Sequence, residues 1–242
     1  MQIQAYKTPL ITPEDSLLDL IDTHLPLLED QEILVITSKI ISLTEGSFLS
    51  KEQAPSKKEL IKQSADAYLN LDGQIPLTLK NGLLIPFAGI DESNAKDLYI
   101  FYPKDVQKSA VTIWQHLRSK NTSKRIGVLI TDSHSTPLRR GVIGVGLAFC
   151  GFKPLYNYIG KADCFEKPLH VTQINVVDAL AASAVFCMGE GNEQTPFAII
   201  KNAPKVEFEN TPPKEADIRS LFIPMEEDLY GPLLKTGQWI FK

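Results

Sequence analysis

Ile126-Gly-Val-Leu-Ile-Thr131, followed directly by Asp132-Ser133, is the stretch on which the fold turns. Six mostly branched apolar residues, too short and too evenly apolar for an amphipathic helix, read as a buried strand. That strand ends on a carboxylate and a hydroxyl. Glu32-Ile-Leu-Val-Ile-Thr37 reads the same way, with Ser38, Lys39 and Ser42 at its exit.

Outward from these two strands, Thr12-Pro13-Glu14-Asp15 combines a capping hydroxyl, a proline suited to the first helical turn and acids that suit the helix dipole. It predicts a helix to about Leu25. Residues 51–65 are polar and lysine-rich around Pro55, a surface connection leading into a helix from about Lys58 to Leu69. Asn81-Gly82 separates Leu77-Thr-Leu79 from Leu83-Leu-Ile85, and both turn residues tolerate the positive φ of a type I′ hairpin. Leu98–Tyr102 reads as a strand before Pro103, and a helix follows through Trp114 and Leu117. Asn175–Met188 reads as an alanine-rich helix, and Phe197–Ile200 as the last strand before a proline-punctuated tail.

Hairpins mixed with single crossover helices predict an α+β fold with mixed and antiparallel sheets and packed helices. Gly141-Val-Ile-Gly144-Val-Gly146 lacks both the GxGxxG order of a dinucleotide fold and the GxxxxGK[ST] order of a P-loop, so neither a Rossmann nor a P-loop architecture is expected. With no repeat, low-complexity block or long linker, residues 1–242 read as a single unit.

The balance of 25 basic and 29 acidic residues, net charge −4, argues against a protein that coats nucleic acid. No run of eighteen apolar residues is available to span a bilayer, so no membrane partner is expected. Cys150, Cys164 and Cys187 form no CxxC pair and are odd in number, which fits a reducing, cytoplasmic setting. Cys164 and Cys187 read as core or near-core thiols. His24, His116, His134 and His170 show no metal-type pairing.

Three polar clusters carry the candidate chemistry: Asp91-Glu92-Ser93-Asn94, Asp132-Ser133 with Arg139-Arg140-Gly141, and Gly189-Glu190-Gly191. Carboxylate and hydroxyl oxygens are hard ligands suited to Mg²⁺ or Mn²⁺, which bridges nucleotide phosphates. Arginines and glycine-flanked amides suit the phosphates themselves. The plainer reading of each cluster is an Asx-turn or a helix stop.

Ala88-Gly-Ile-Asp91-Glu-Ser-Asn94, Ile130-Thr-Asp132-Ser133, Arg139-Arg-Gly-Val-Ile-Gly-Val145 and Met188-Gly-Glu190-Gly191 occur together in order. On these motifs the chain resembles the coenzyme F420-0:L-glutamate ligase family, the γ-glutamyl ligases of the deazaflavin coenzyme. The resemblance covers about residues 5–202, including Asn157-Tyr-Ile-Gly160, and leaves 203–242 as a C-terminal extension. It implies an unusual α+β fold, a homodimer, GTP as co-substrate, a divalent metal, and L-glutamate joined to a carboxylate of a deazaflavin or pterin (folate) acceptor through an acyl phosphate. By position it implies Asp91, Asp132, Ser133 and Glu190 as metal ligands. It implies Thr8, Pro9, Leu10, Ile11, Ser38, Lys39, Asn94, Met188, Gly189, Gly191 and Asn192 as nucleotide contacts. Arg139 and Arg140 are candidates for catalytic clamps on phosphate or substrate carboxylate.

The chain departs from the family pattern at Leu43, Ser135-Thr136, Ile85-Pro86-Phe87 and Ala179. The loss of cationic and polar positions there is expected to weaken recognition of an anionic deazaflavin acceptor relative to a folate. It also motivates the alternative of a nucleotide-binding or regulatory homologue without catalysis.

Overall fold

Alternate residues of the Glu32–Thr37 strand enter different cores: Leu34 and Ile36 pack on one side, Ile33 and Val35 on the other. A strand this apolar must be covered on both faces, and here helices cover both. The computed structural model describes residues 1–69, 76–120 and 124–242.

In chain order the first half runs β1 (Gln2–Tyr6), α1 (Leu17–His24), β2 (Glu32–Thr37), α2 (Ser38–Thr44), β3 (Phe48–Ser50), α3 (Lys57–Ser64), β4 (Ala67–Leu69), β5 (Leu77–Lys80) and β6 (Leu83–Pro86). A 3-10 turn, Phe87–Gly89, leads to β7 (Leu98–Ile100), α4 (Val106–Lys120), β8 (Ile126–Ser135) and β9 (Val142–Cys150). The chain ends with β10 (Leu155–Asn157), β11 (Gln173–Asn175), α5 (Val176–Met188), β12 (Phe197–Lys201), α6 (Glu215–Arg219), α7 (Gly231–Leu234) and β13 (Trp239–Phe241). Mixed and antiparallel sheets with packed helices make the class α+β, as expected. Among the described residues no helix is long and apolar enough to cross a membrane.

The central sheet has the order β1-β12-β2-β8-β9, with β2 and β8 parallel and the other neighbours antiparallel. One face packs on α1, α2 and α4 through Ile21, Ile41, Ile113 and Trp114. The opposite face packs on α5 through Val177, Leu180, Ala181 and Ala184.

The glycine-rich stretch is strand β9, and its spacing is explained by packing. A Cβ on Gly144 would lie 2.4 Å from the carbonyl oxygen of Ala181, and one on Gly146 would lie 2.1 Å from Val177 Cγ1. Bare backbone there lets α5 sit directly on the strand, and the Gly146 amide donates to Asp178 Oδ1 at 2.9 Å. A bulge at Ile130/Thr131 shifts the β8–β9 register, so Val145 and Leu147 join the same core as Ala148 and Cys150.

A smaller sheet of order β13-β4-β5-β6 holds the predicted hairpin, where Asn81 (φ 51°) and Gly82 (φ 75°) take the left-handed conformations of its turn. Buried Thr78 donates to the carbonyl of Ile85 at 2.6 Å and accepts from the amide of Ala88 at 2.9 Å. It thereby fixes the left-handed pair Phe87 (φ 58°) and Ala88 (φ 54°).

Several local expectations are corrected. The first helix is capped by Ser16, which accepts from the Asp19 amide, while Asp15 turns back to bond Thr12. The helix expected to reach Leu69 stops at Ser64, because Ala65 is extended and Ala67 and Tyr68 pair with Leu79 and Thr78. β7 ends at Ile100, short of Tyr102. β8 continues through Asp132 and Ser133 to Ser135, so these residues and His134 lie within a strand, paired with β9. Cys164 and Cys187 are exposed; only Cys150 of the three is buried.

Residues 203–242 are built into the fold. Val206, Phe208, Ile218 and Leu221 pack against the α5-side core, Phe222 lies on Gly82 of the hairpin, and β13 extends the small sheet at β4.

The β9–α5 seam makes a direct prediction. Gly144→Ala must push a backbone carbonyl away, so it should cost about 1–3 kcal/mol, seen as a lower urea midpoint at unchanged slope. An unchanged midpoint would mean that α5 is free to retreat.

Candidate active site

Parallel pairing of β2 with β8 puts Thr37 opposite Thr131, so the residues that follow these two threonines emerge at the same end of the paired segments. Lys39 in the first turn of α2 and Asp132 and Ser133 on β8 consequently line one cavity, of about 420 Å³. Thr8, Pro9, Leu10 and Ile11, after β1, form a further part of its wall. Met188, Gly189, Glu190, Gly191 and Asn192, after α5, form another. The Thr78-braced turn brings in Asp91, Ser93 and Asn94, with Ile85, Pro86 and Phe87 as an adjoining apolar wall.

Most of the sequence-derived site residues are therefore brought together. Ser38 does not line the cavity and is buried. Arg139 and Arg140 sit exposed on the connection between β8 and β9, also outside the lining.

Asp91 is held by its own turn and by a cation. Its backbone pairs in both directions with Ile100 at 2.9 Å, its Oδ1 accepts the Ser93 amide at 2.6 Å, and its Oδ2 lies 2.6 Å from Lys39 Nζ. Lys39 also donates to the Ser93 carbonyl at 3.1 Å and hydroxyl at 2.8 Å. Burial acts to raise the Asp91 carboxyl, but the Lys39 charge and the bonds from Lys39 and Ser93 outweigh it and hold the group below its ordinary value.

Asp132 lies on the opposite side of that balance. Burial pushes its carboxyl above the ordinary value, with the charge of Asp91 adding to the push, against hydrogen bonds from Tyr102 and the Ser133 amide. Two carboxylates in one cavity are thus driven apart in acidity. Ser133 donates to Glu190 Oε1 at 2.5 Å, and Asn94 Nδ2 donates to the Gly191 carbonyl at 3.0 Å. These two bonds tie the loop after α5 to the β8 and Asp91 segments.

Among the described residues no three His, Cys, Asp or Glu side chains converge closely enough to enclose a metal ion by themselves. The carboxylate and hydroxyl donors present are hard oxygens, and burial makes the ionised form of Asp132 costly although the Lys39 charge acts against it.

Sequence reading missed Tyr102, whose hydroxyl donates to Asp132 Oδ2 at 2.6 Å; Glu193 and Gln194 also line the cavity. Tyr102 sits in an apolar strand-like run before a proline, where no spacing distinguishes it from core. The Thr8 amide bonds the Gln194 carbonyl at 2.9 Å, a contact between segments almost two hundred residues apart that no local pattern announces.

A fold of this topology, with hard-oxygen donors and glycine-flanked loops around one cavity, defines an amide-forming ligase once its relatives are considered. The family model described as F420-0:Gamma-glutamyl ligase matches residues 5–202. The chain is 31% identical over 249 residues to a coenzyme F420:L-glutamate ligase of Methanococcus maripaludis, covering 95% of this chain and 97% of that protein. It is 30% identical over 220 residues to a protein of the same description from Methanocaldococcus jannaschii, and 28% over 219 to one from Methanothermobacter thermautotrophicus. These alignments cover 84% and 83% of this chain, and 86% and 85% of the relatives. The chain belongs to the F420-0:gamma-glutamyl ligase family.

The Lys39–Asp91 pair has a testable pH signature. A carboxyl held below its unfolded value stabilises the fold above the unfolded pKa, about 3.9, and loses that contribution as the pH falls through the folded value. Lys39→Met should therefore be less stable than the parent at neutral pH, with the gap closing in acid. A gap independent of pH would show that Lys39 contributes only packing.

Proposed function

We propose that the protein is a GTP- and divalent-metal-dependent γ-glutamyl ligase. In this reading it joins the α-amine of L-glutamate to a carboxylate of a coenzyme acceptor of the coenzyme F420-0 type. The observation that carries the reading is the single cavity in which five separate segments, 8–11, 39, 91–94, 132–133 and 188–192, converge with hydroxyl, carboxylate and ammonium groups.

A carboxylate does not condense with an amine in water, because its oxygen is a poor leaving group. Transfer of the γ-phosphoryl group of GTP to the acceptor carboxylate forms an acyl phosphate and GDP. The glutamate amine then attacks the acyl carbon, the C–O bond to phosphate breaks, the C–N bond forms and the amine gives up a proton.

Asp91, Asp132, Ser133 and Glu190 suit Mg²⁺ or Mn²⁺ in donor type, and an incomplete protein shell leaves coordination positions for phosphate oxygens, the usual arrangement for Mg²⁺. When bound, the ion would neutralise polyphosphate charge. Lys39 adds a cation on the same wall. The loop from Met188 to Asn192, tied down through Glu190 and Gly191, supplies backbone groups suited to reading a nucleotide.

Ile85, Pro86 and Phe87 give the acceptor an apolar wall, suited to a flat ring and less to an anionic phosphodiester. A reduced folate is therefore the comparison acceptor. Leu138, Val142 and Ile143, exposed around the connection that carries Arg139 and Arg140, offer apolar surface for a homodimer contact. The arginines on that connection are then available to clamp an anion presented by a second copy.

Incubation with GTP, Mg²⁺ or Mn²⁺ and L-glutamate, with coenzyme F420-0 and a reduced folate offered in parallel, tests the reading. A mass gain of one glutamyl residue, with phosphate released only when acceptor and glutamate are both present, is expected. Nucleotide binding without that coupling would favour a non-catalytic homologue.

Asp132→Asn should lower ligation about a hundredfold or more, since it removes a full charge while keeping an oxygen for Tyr102. Because the native carboxyl is raised by burial, its charged form costs stability at neutral pH. The metal-free variant should melt at the same temperature as the parent or higher. Near-parent turnover would reduce Asp132 to a structural residue. Light scattering should give about twice the 26.9 kDa chain mass, and a monomer with and without GTP would remove the dimer.

A further inference from the structure

Tyr102 follows β7 and is buried, with a relative exposure of 8%. Its hydroxyl donates to Asp132 Oδ2 at 2.6 Å, at the short end of the range for O–H···O bonds. The ring is seated against Gly89: a Cβ on that residue would fall 2.4–2.7 Å from three ring carbons. Gly89 closes the turn braced by Thr78, and it also has positive φ (71°). Two residues before Tyr102, Ile100 exchanges both backbone hydrogen bonds with Asp91. One short segment therefore locates both carboxylates, Asp91 through its main chain and Asp132 through a side chain.

We propose that Tyr102 is a positioning residue, which commits one oxygen of Asp132 and so presents that carboxylate to a divalent cation as a fixed, one-oxygen ligand. The proposal rests on the metal-dependent reading above and adds to it the group that orients the ligand. A carboxylate free to rotate could chelate the ion or turn away from it, whereas one pinned through Oδ2 keeps its other oxygen on a single heading. No other side-chain donor to Asp132 appears among the described residues.

Tyr102→Phe keeps the ring on Gly89 and deletes only the donor. Mn²⁺ binding to the full chain, followed by electron paramagnetic resonance with and without a non-hydrolysable GTP analogue, should weaken about tenfold or more, as for loss of other groups that orient metal ligands. Affinity for the analogue without metal should stay within about twofold, because Tyr102 acts on the ion and not on the nucleotide. The deciding comparison is a cycle with Asp132→Asn. If Tyr102 acts through Asp132, adding Tyr102→Phe to Asp132→Asn changes Mn²⁺ affinity no further, while independent packing damage would add.

Parent-like Mn²⁺ affinity in Tyr102→Phe, alongside a clear loss in Asp132→Asn, would overturn the proposal and leave the ligase reading intact. Parent-like affinity in Asp132→Asn as well would overturn the metal reading itself. Should Tyr102→Phe fail to fold, the parent protein decides. Titration with Mn²⁺ should give a near-ultraviolet tyrosine difference spectrum that Asp132→Asn lacks, and its absence from the parent overturns the proposal.

Discussion

The parallel pairing of Glu32–Thr37 with Ile126–Thr131 is the contact on which everything else depends. Parallel neighbours end at the same edge of a sheet, so whatever follows each strand is delivered to one place. Lys39 follows one and Asp132 follows the other. Antiparallel pairing of the same two segments would send them to opposite edges and leave no shared cavity. The pair is held by its burial: Ile33, Leu34, Val35 and Ile36, and Val128, Leu129 and Ile130 opposite them, are fully enclosed between the two helical layers.

Around that pair, two different devices locate the acidic groups. Asp91 is fixed locally, by its own turn, by Ile100 and by Lys39, and the cation makes its charge easy to carry. Asp132 is fixed by a strand and by Tyr102, and burial makes its charge hard to carry. One cavity thus holds an ion-paired carboxylate beside one whose charge burial makes costly, an asymmetry characteristic of functional sites.

The small sheet serves the site indirectly. Thr78 on β5 braces the left-handed Phe87–Ala88 turn, and that turn sets both the apolar wall and the approach to Asp91. Residues 203–242, beyond the family-wide core, return to this sheet through Phe222 and β13. The sheet that carries the wall is consequently supported by the C-terminal segment as well.

Sequence by itself determined the elements whose stability is local or whose burial is complete. The two apolar strands, the Asn81-Gly82 hairpin, the alanine-rich α5 and the last strand are all legible, because their patterns demand one conformation regardless of partner. The clusters at Asp91, Asp132 and Glu190 were legible as residue types, since carboxylate, hydroxyl and glycine recur together in three separate places, although each alone also suits an Asx-turn or a helix stop. Tertiary structure alone decided which of them meet. It showed Gly144 and Gly146 to be a packing seam, because the need for bare backbone arises from α5, more than thirty residues away. It separated Arg139 and Arg140 from the cavity, because β8 runs on past Asp132 into the β9 hairpin. It paired Tyr102 with Asp132, a bond between residues thirty positions apart. Nothing in either local sequence records that bond, since a tyrosine hydroxyl acquires a partner only when the sheet brings one within reach.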